Sequence, residues 1–381
     1  MCDILESDGE ICRTLFQLTL TDGDIRTLIL IRRIFMCNMA GYVGKLNAAP
    51  ILIEMMKAEE GIQGGYQTGI ATVSEGKIAY EKLTGDTDHL VANTPASSLL
   101  GNIGIMHSRS KCGKAGGREW AHPFVSERDG VIRNAYIANG GQGFFRKDKP
   151  KLERRAEELL ALGYNMRSRD RFETSYPTMS DGTCVHMTDV MCQEIQYRID
   201  SGMDTVEAMD SAFHYIPAEL AGLLIVPEAP DYITFSRTNM PLYVGFSSHG
   251  GYIASTALAF PKDVKRIAMI PSFTSGRLYA DRYELIPYKE EIGNMGQIND
   301  RRTAEAYDMI VGLLREGKKE CRHLYTAVYK LFEGYDYFDA EPLTYNIMQT
   351  LAEEGRLGEE IVRVPGNEDG LTAPMNVYWL K

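Results

Sequence analysis

Cys37 directly follows Met36, so initiation at Met36 or cleavage of the bond before Cys37 would leave this cysteine as a new N-terminus. A residue in that place carries its own base. Its thiol and free α-amine have ordinary pKa values of about 8.5 and about 8, so one residue supplies both the nucleophile and the acceptor for its proton. Inside a chain the same nitrogen is an amide and takes no proton. The chemistry on offer is covalent acyl transfer, in which sulfur attacks a carbonyl carbon, a leaving group departs and water frees the acyl group. A buried thiol heading a glycine-punctuated strand would show the same Met-Cys-x-x-x-Gly-Tyr-x-Gly pattern, so the residues that follow carry the argument. They are Gly104-Ile105-Met106-His107-Ser108-Arg109, Ala121-His122-Pro123, Asn139-Gly140, Thr188-Asp189 and Pro241-Leu242-Tyr243-Val244-Gly245, in that order. Asn-Gly by itself is also the commonest tight hairpin turn. His107 and His122 read as structural histidines.

These residues need elements to carry them. Residues 37–46 read as a strand and 50–60 as a helix with apolar residues at helical spacing, while 66–73 and 77–83 read as a strand pair around Ser74-Glu75-Gly76. Further strands are expected at 104–108 and 132–138, and helices at 151–162 and 188–201, the second capped by Thr188. Strands return at 221–226, 232–235, 242–246 and 252–254. Strands at both ends with helices between them suit two packed sheets covered by helices. After about residue 287 the pattern turns helical through 301–314, 321–332 and 342–354. Two short strand-like runs, 360–364 and 376–380, follow.

Together the motifs resemble the class II glutamine amidotransferase domain, an N-terminal-nucleophile hydrolase, and look closest to the glutaminase half of glucosamine-6-phosphate synthase. The resemblance runs from Cys37 to about Ile286 and implies a four-layer αββα sandwich. It implies Cys37 as nucleophile, and Asn139 with Gly140 as the oxyanion donors. It also implies Arg109 and Asp189 as the residues that hold the α-carboxylate and α-ammonium of L-glutamine, Gly140 lining the same pocket. Arginine grips a carboxylate through two parallel hydrogen bonds, which lysine cannot reproduce. One departure stands out: Gln63 occupies the place of an arginine in the relatives, before Gly64-Gly65.

The expected organisation is a leader over 1–36, either a propeptide or a start assigned too early, an amidotransferase domain over 37–286, and a small helical, winged-helix-like domain over 287–381. Arg32-Arg33 is encodable by AGGAGG, a ribosome-binding purine run just upstream of Met36, which favours the early-start reading of the leader. A net charge of −11 and a pI near 5.3 argue against a general nucleic-acid surface. Seven cysteines without a repeating frame read as reduced thiols of a cytoplasmic protein. Cys184, His186 and Cys192 lack a CxxC pair, so no metal is expected, and Gly140-Gly141-Gln142-Gly143 lacks the Gly-Lys-Ser/Thr of a phosphate loop, so no cofactor is expected. The apolar run Leu28–Ile31 is too short to span a bilayer. The reading is a glutaminase that passes ammonia to a separate synthase subunit or releases it, acting alone or as a homo-oligomer. A glutamine sensor without turnover and an N-terminal-cysteine amidase on other amides are the alternatives.

Overall fold

The computed structural model describes residues 37–111, 117–140, 142–172, 176–217, 219–290 and 292–381. The leader expected over residues 1–36 lies outside them, as does Cys112.

Two antiparallel sheets form the centre. The first has seven strands in the order β11 (Lys265–Met269), β9 (Tyr243–Phe246), β10 (Gly250–Ala254), β1 (Asn38–Gly44), β4 (Ile103–Arg109), β2 (Gln67–Ser74) and β3 (Lys77–Thr84). The second has six, in the order β13 (Tyr283–Pro287), β12 (Thr274–Tyr279), β8 (Tyr232–Arg237), β7 (Glu219–Ile225), β6 (Val131–Gly140) and β5 (Phe124–Arg128). The hairpin expected at 74–77 forms, with Glu75 and Gly76 both at positive φ as a two-residue turn requires. β1 is buried along its whole length, and a methyl group on Gly41 would lie 2.7 Å from Ile253 and 3.0 Å from Ile233 of the facing sheet. Only glycine lets the two sheets approach this closely there.

Helices cover the outer faces. α1 (Ala48–Gln63) lays Leu52, Ile53, Met55 and Met56 on the first sheet, at the spacing of one helical face. The short α2 (Thr87–Asn93) is capped by the Asp86 side chain. α3 (Gln142–Ala161), α4 (Met187–Asp200) and α5 (Thr205–Tyr215) cover the second sheet over a core that includes Leu152, Met191, Phe213 and Leu224. The result is the αββα order. Thr188 is not the cap of α4: His186 takes that place, its ring Nδ1 accepting from the Thr188 N–H at 3.1 Å.

Beyond β13 the chain runs through β14 (Met295–Gly296), α6 (Asp300–Arg315), β15 (Lys319–Glu320), α7 (Cys321–Val328), β16 (Tyr337–Phe338) and α8 (Ala340–Glu353), then the hairpin β17 (Leu357–Pro365) and β18 (Thr372–Leu380). β15, β18 and β17 form one antiparallel sheet, and β14 pairs with β16. This segment is bound tightly to the sandwich. Arg237, with no exposed surface, spends its guanidinium on the carbonyls of Asn239, Met240 and Ile270, on Ser272, and on the Asp339 carboxylate at 2.6 Å. The hairpin reaches the other end of α1. Gly65, at φ +89°, has Pro374 against it with only 2.5 Å of room for a Cβ, and Arg363 pairs with Asp86.

Candidate active site

β1 and β4 pair Asn38 with Ser108, so one further step of the same register sets Cys37 opposite Arg109, and β2 pairs Gln67 with Arg109 from the other side. Backbone pairing alone thus brings three of the polar residues into one row. Cys37 is half-buried. Its sulfur accepts the Ser110 N–H at 3.4 Å and lies 3.6 Å from the Ser110 hydroxyl. From the facing sheet, Asn139 Nδ2 donates to the Cys37 carbonyl at 2.7 Å and to Ser255 Oγ at 3.4 Å, and Ser255 Oγ accepts from the Met39 N–H at 2.9 Å. Asn139 and Gly140 are not a hairpin turn. They end β6, where the pairing with β7 slips between Asn139 and Gly140, a bulge of the kind that re-aims a strand beside a site.

Arg109 is buried and held by neutral acceptors: Nη1 donates to Gln67 Oε1 at 2.7 Å and the Trp120 carbonyl at 3.1 Å, and Nη2 to Tyr176 Oη at 2.5 Å. Asp189, in the first turn of α4, is buried too. Its Oδ2 accepts from the N–H and hydroxyl of Ser168 at 2.9 and 2.8 Å and its Oδ1 from Gln193 at 3.2 Å, while burial pushes its carboxyl up. Between Arg109 and α4 lies a ring cluster in which Tyr176 and His186 are 4.8 Å apart, His186 and His122 5.3 Å, and His122 and His107 3.8 Å. Burial, reinforced by the Arg109 charge, pushes His107 down to about 3, and His122 and His186 also fall well below the usual histidine range. His107 is therefore neutral at physiological pH and too weak to serve as a general base. Gln63 bonds to the C-terminal segment, its Oε1 accepting the Tyr325 hydroxyl of α7 at 3.1 Å.

Behind Arg109, Ser108 Oγ accepts the Gly65 N–H at 2.7 Å and donates to Glu60 at 3.3 Å. Burial raises Glu60 to about 7, and Glu341 of α8 also to about 7. The fold thus holds protons on these carboxyls more tightly than the unfolded chain does, so their stabilising contribution is complete below about pH 4.5 and is lost as pH rises through 7. The three histidines act with the opposite sign. Their contribution is present above about pH 6.5 and is lost as pH falls well below it, for His107 toward about 3. The two effects oppose each other between about pH 4.5 and 6.5, and above about 6.5 only the carboxyl loss remains, so the thermal midpoint should decline as pH rises from about 6.5 through 7, and Glu60→Gln should flatten that decline. A midpoint still climbing between pH 6.5 and 8 in the wild type would contradict this.

Motif order singled out Cys37, Arg109, Asn139, Gly140 and Asp189; it missed Gln67, Ser110, Tyr176 and Ser255. Gln67 and Ser110 are legible only once strand register is known, and nothing in the sequence around Tyr176 marks it. Among the described residues no cluster of three His, Cys, Asp or Glu side chains could hold a metal ion.

Two antiparallel sheets are stacked between helix layers, with a cysteine at the head of a central strand, the αββα arrangement that the motif resemblance implies. The comparisons are more particular. The chain is 27% identical over 233 residues to a glutamine–fructose-6-phosphate aminotransferase of Bartonella quintana, covering 61% of this chain and 34% of the relative. It is 28% identical over 222 residues to the enzyme of that name from Clostridium tetani, covering 58% and 31%. The glutamine phosphoribosylpyrophosphate amidotransferase of B. subtilis has the same fold, with a TM-score of 0.52 at 17% identity over 71% of this chain and 52% of that one. The class II glutamine amidotransferase resemblance of the motifs is therefore met in sequence relatives and in fold. The chain spans about a third of the length of the relatives it matches. No protein-family model matches it.

Proposed function

We propose that this chain hydrolyses L-glutamine to glutamate and ammonia at Cys37. The observation that carries the reading is the convergence on Cys37 of Asn139 from one sheet and the Arg109 row from the other. The Cys37 sulfur attacks the side-chain amide carbon, the Cys37 α-amine takes the thiol proton, ammonia leaves, and water cleaves the γ-glutamyl thioester. Asn139 Nδ2 and the Gly140 N–H stabilise the oxyanion, each such donor being worth about 3–4 kcal/mol in the barrier. Arg109 binds the α-carboxylate and Asp189 the α-ammonium. Ammonia goes to a separate synthase subunit or is released, in the cytoplasm; no described helix is long and apolar enough to cross a membrane. The acidic tail, with nine of the fourteen residues of α8 buried, suits a winged-helix-like packing module rather than a nucleic-acid reader.

The test joins two measurements on purified active protein, its N-terminal sequence and its rate of glutamate release. Active molecules should begin at Cys37. Full activity in protein whose mass still includes residues 1–36 would rule out the α-amine as base. Arg109→Lys should raise the KM for glutamine roughly tenfold or more, because a charged hydrogen bond contributes about 1.5–3 kcal/mol. An unchanged KM would put Arg109 outside the pocket. The sensor alternative draws on Gln63, whose side chain is turned to Tyr325; glutamine binding without steady-state glutamate release would favour it.

A further inference from the structure

The sulfur of Cys37 is touched by a residue that no motif marks. Ser110 follows β4 directly and is 5% exposed. The peptide unit joining it to Arg109 is fixed from the far side, where the Arg109 carbonyl accepts the Tyr66 N–H at 3.1 Å. In a trans peptide the C=O and N–H point in opposite directions, so the bond to Tyr66 aims the Ser110 N–H at β1. That N–H meets Cys37 Sγ at 3.4 Å, and the Ser110 hydroxyl lies 3.6 Å from the same sulfur.

We propose that Ser110 is a catalytic residue that holds the Cys37 sulfur as a thiolate through its backbone N–H and its hydroxyl. Hydrogen bonds to the charged form favour that form, and the thiolate is the nucleophile. The hydroxyl keeps its own proton throughout. The thiol proton goes to the Cys37 α-amine, and as the sulfur–carbon bond forms, the carbonyl π pair moves onto the oxygen. The charged groups beside the pair along the chain are Arg109 and Lys111, with the Cys37 α-amine on the nucleophile itself, and His107 on the same strand as Arg109 is neutral at physiological pH; Asn139 of β6 and Ser255, which follows β10, carry no charge. The proposal rests on Cys37 being the nucleophile.

The test is the pH profile of iodoacetamide alkylation at Cys37 in the active protein beginning at Cys37, read by the mass of the peptide carrying it, alongside glutamate release. Ser110→Ala keeps the N–H and removes the hydroxyl, so the alkylation midpoint should move up by roughly one pH unit with the thermal midpoint unchanged, and kcat should fall several-fold. Ser110→Thr restores a hydroxyl and should restore both. An alkylation midpoint in Ser110→Ala equal to that of the wild type would overturn the proposal. Glutamate release surviving in Cys37→Ala would instead overturn the nucleophile reading and leave the alkylation result standing, so the two failures are separable.

Discussion

Cys37→Ala is expected to lower glutamate release by on the order of 10⁴-fold or more, because the residue that forms the covalent intermediate is removed and the oxyanion donors act on nothing. The fold should survive. Cys37 is half-buried and only its sulfur is lost, so the change in stability should stay within about 1 kcal/mol. A glutamine-like diazoketone should label Cys37 and no other described cysteine. Cys184, Cys192 and Cys321 are buried, and burial pushes the Cys192 and Cys321 thiols well above the ordinary range, which keeps them protonated and unreactive. Labelling at Cys184 in place of Cys37 would remove the assignment altogether.

Local chemistry made much of this architecture legible. The β2–β3 hairpin follows from Glu75-Gly76 at a two-residue turn, and α1 from apolar residues on one helical face. Where the reading failed, a competing local or distant partner explains it. Thr188 has good capping chemistry, but the helix already begins at Met187, and the imidazole of His186 caps it by accepting the N–H of Thr188 itself. α5 went unread although Asp204 and Glu207 form a full capping box at its start. The edge strands β11 and β13 mix charged and apolar residues and carry no clean alternation. In the site, the order of Cys37, Arg109, Asn139 and Asp189 was readable as a motif series. The partners that orient them were not: Gln67 meets Arg109 through β2–β4 register, and Tyr176 reaches it from a loop 67 positions away. The seat of the tail was equally hidden, since Gly65 and Pro374 touch across three hundred residues of chain.

That seat sets the second large effect. A chain ending at Pro287 is expected to show no cooperative unfolding transition and to aggregate, rather than to remain an active glutaminase. Truncation would remove Asp339 from Arg237, and Arg237 lies fully buried among carbonyls that cannot neutralise its charge. It would also strip the hairpin from Gly65 and the end of α1, and Tyr325 from Gln63, opening the face that stands behind Ser108 and Arg109. A single substitution isolates the first cause. Asp339→Ala leaves the guanidinium buried and unpaired, and losing one partner of a buried pair costs about 3–5 kcal/mol, which denaturant unfolding of the full chain would read directly. Asp339→Asn keeps an acceptor for the 2.6 Å contact and should lose less. If the shortened chain instead unfolded cooperatively at the temperature of the full protein, the segment after Pro287 would be an appended module, and its contacts with Arg237 and Gly65 would contribute little to holding the sandwich together.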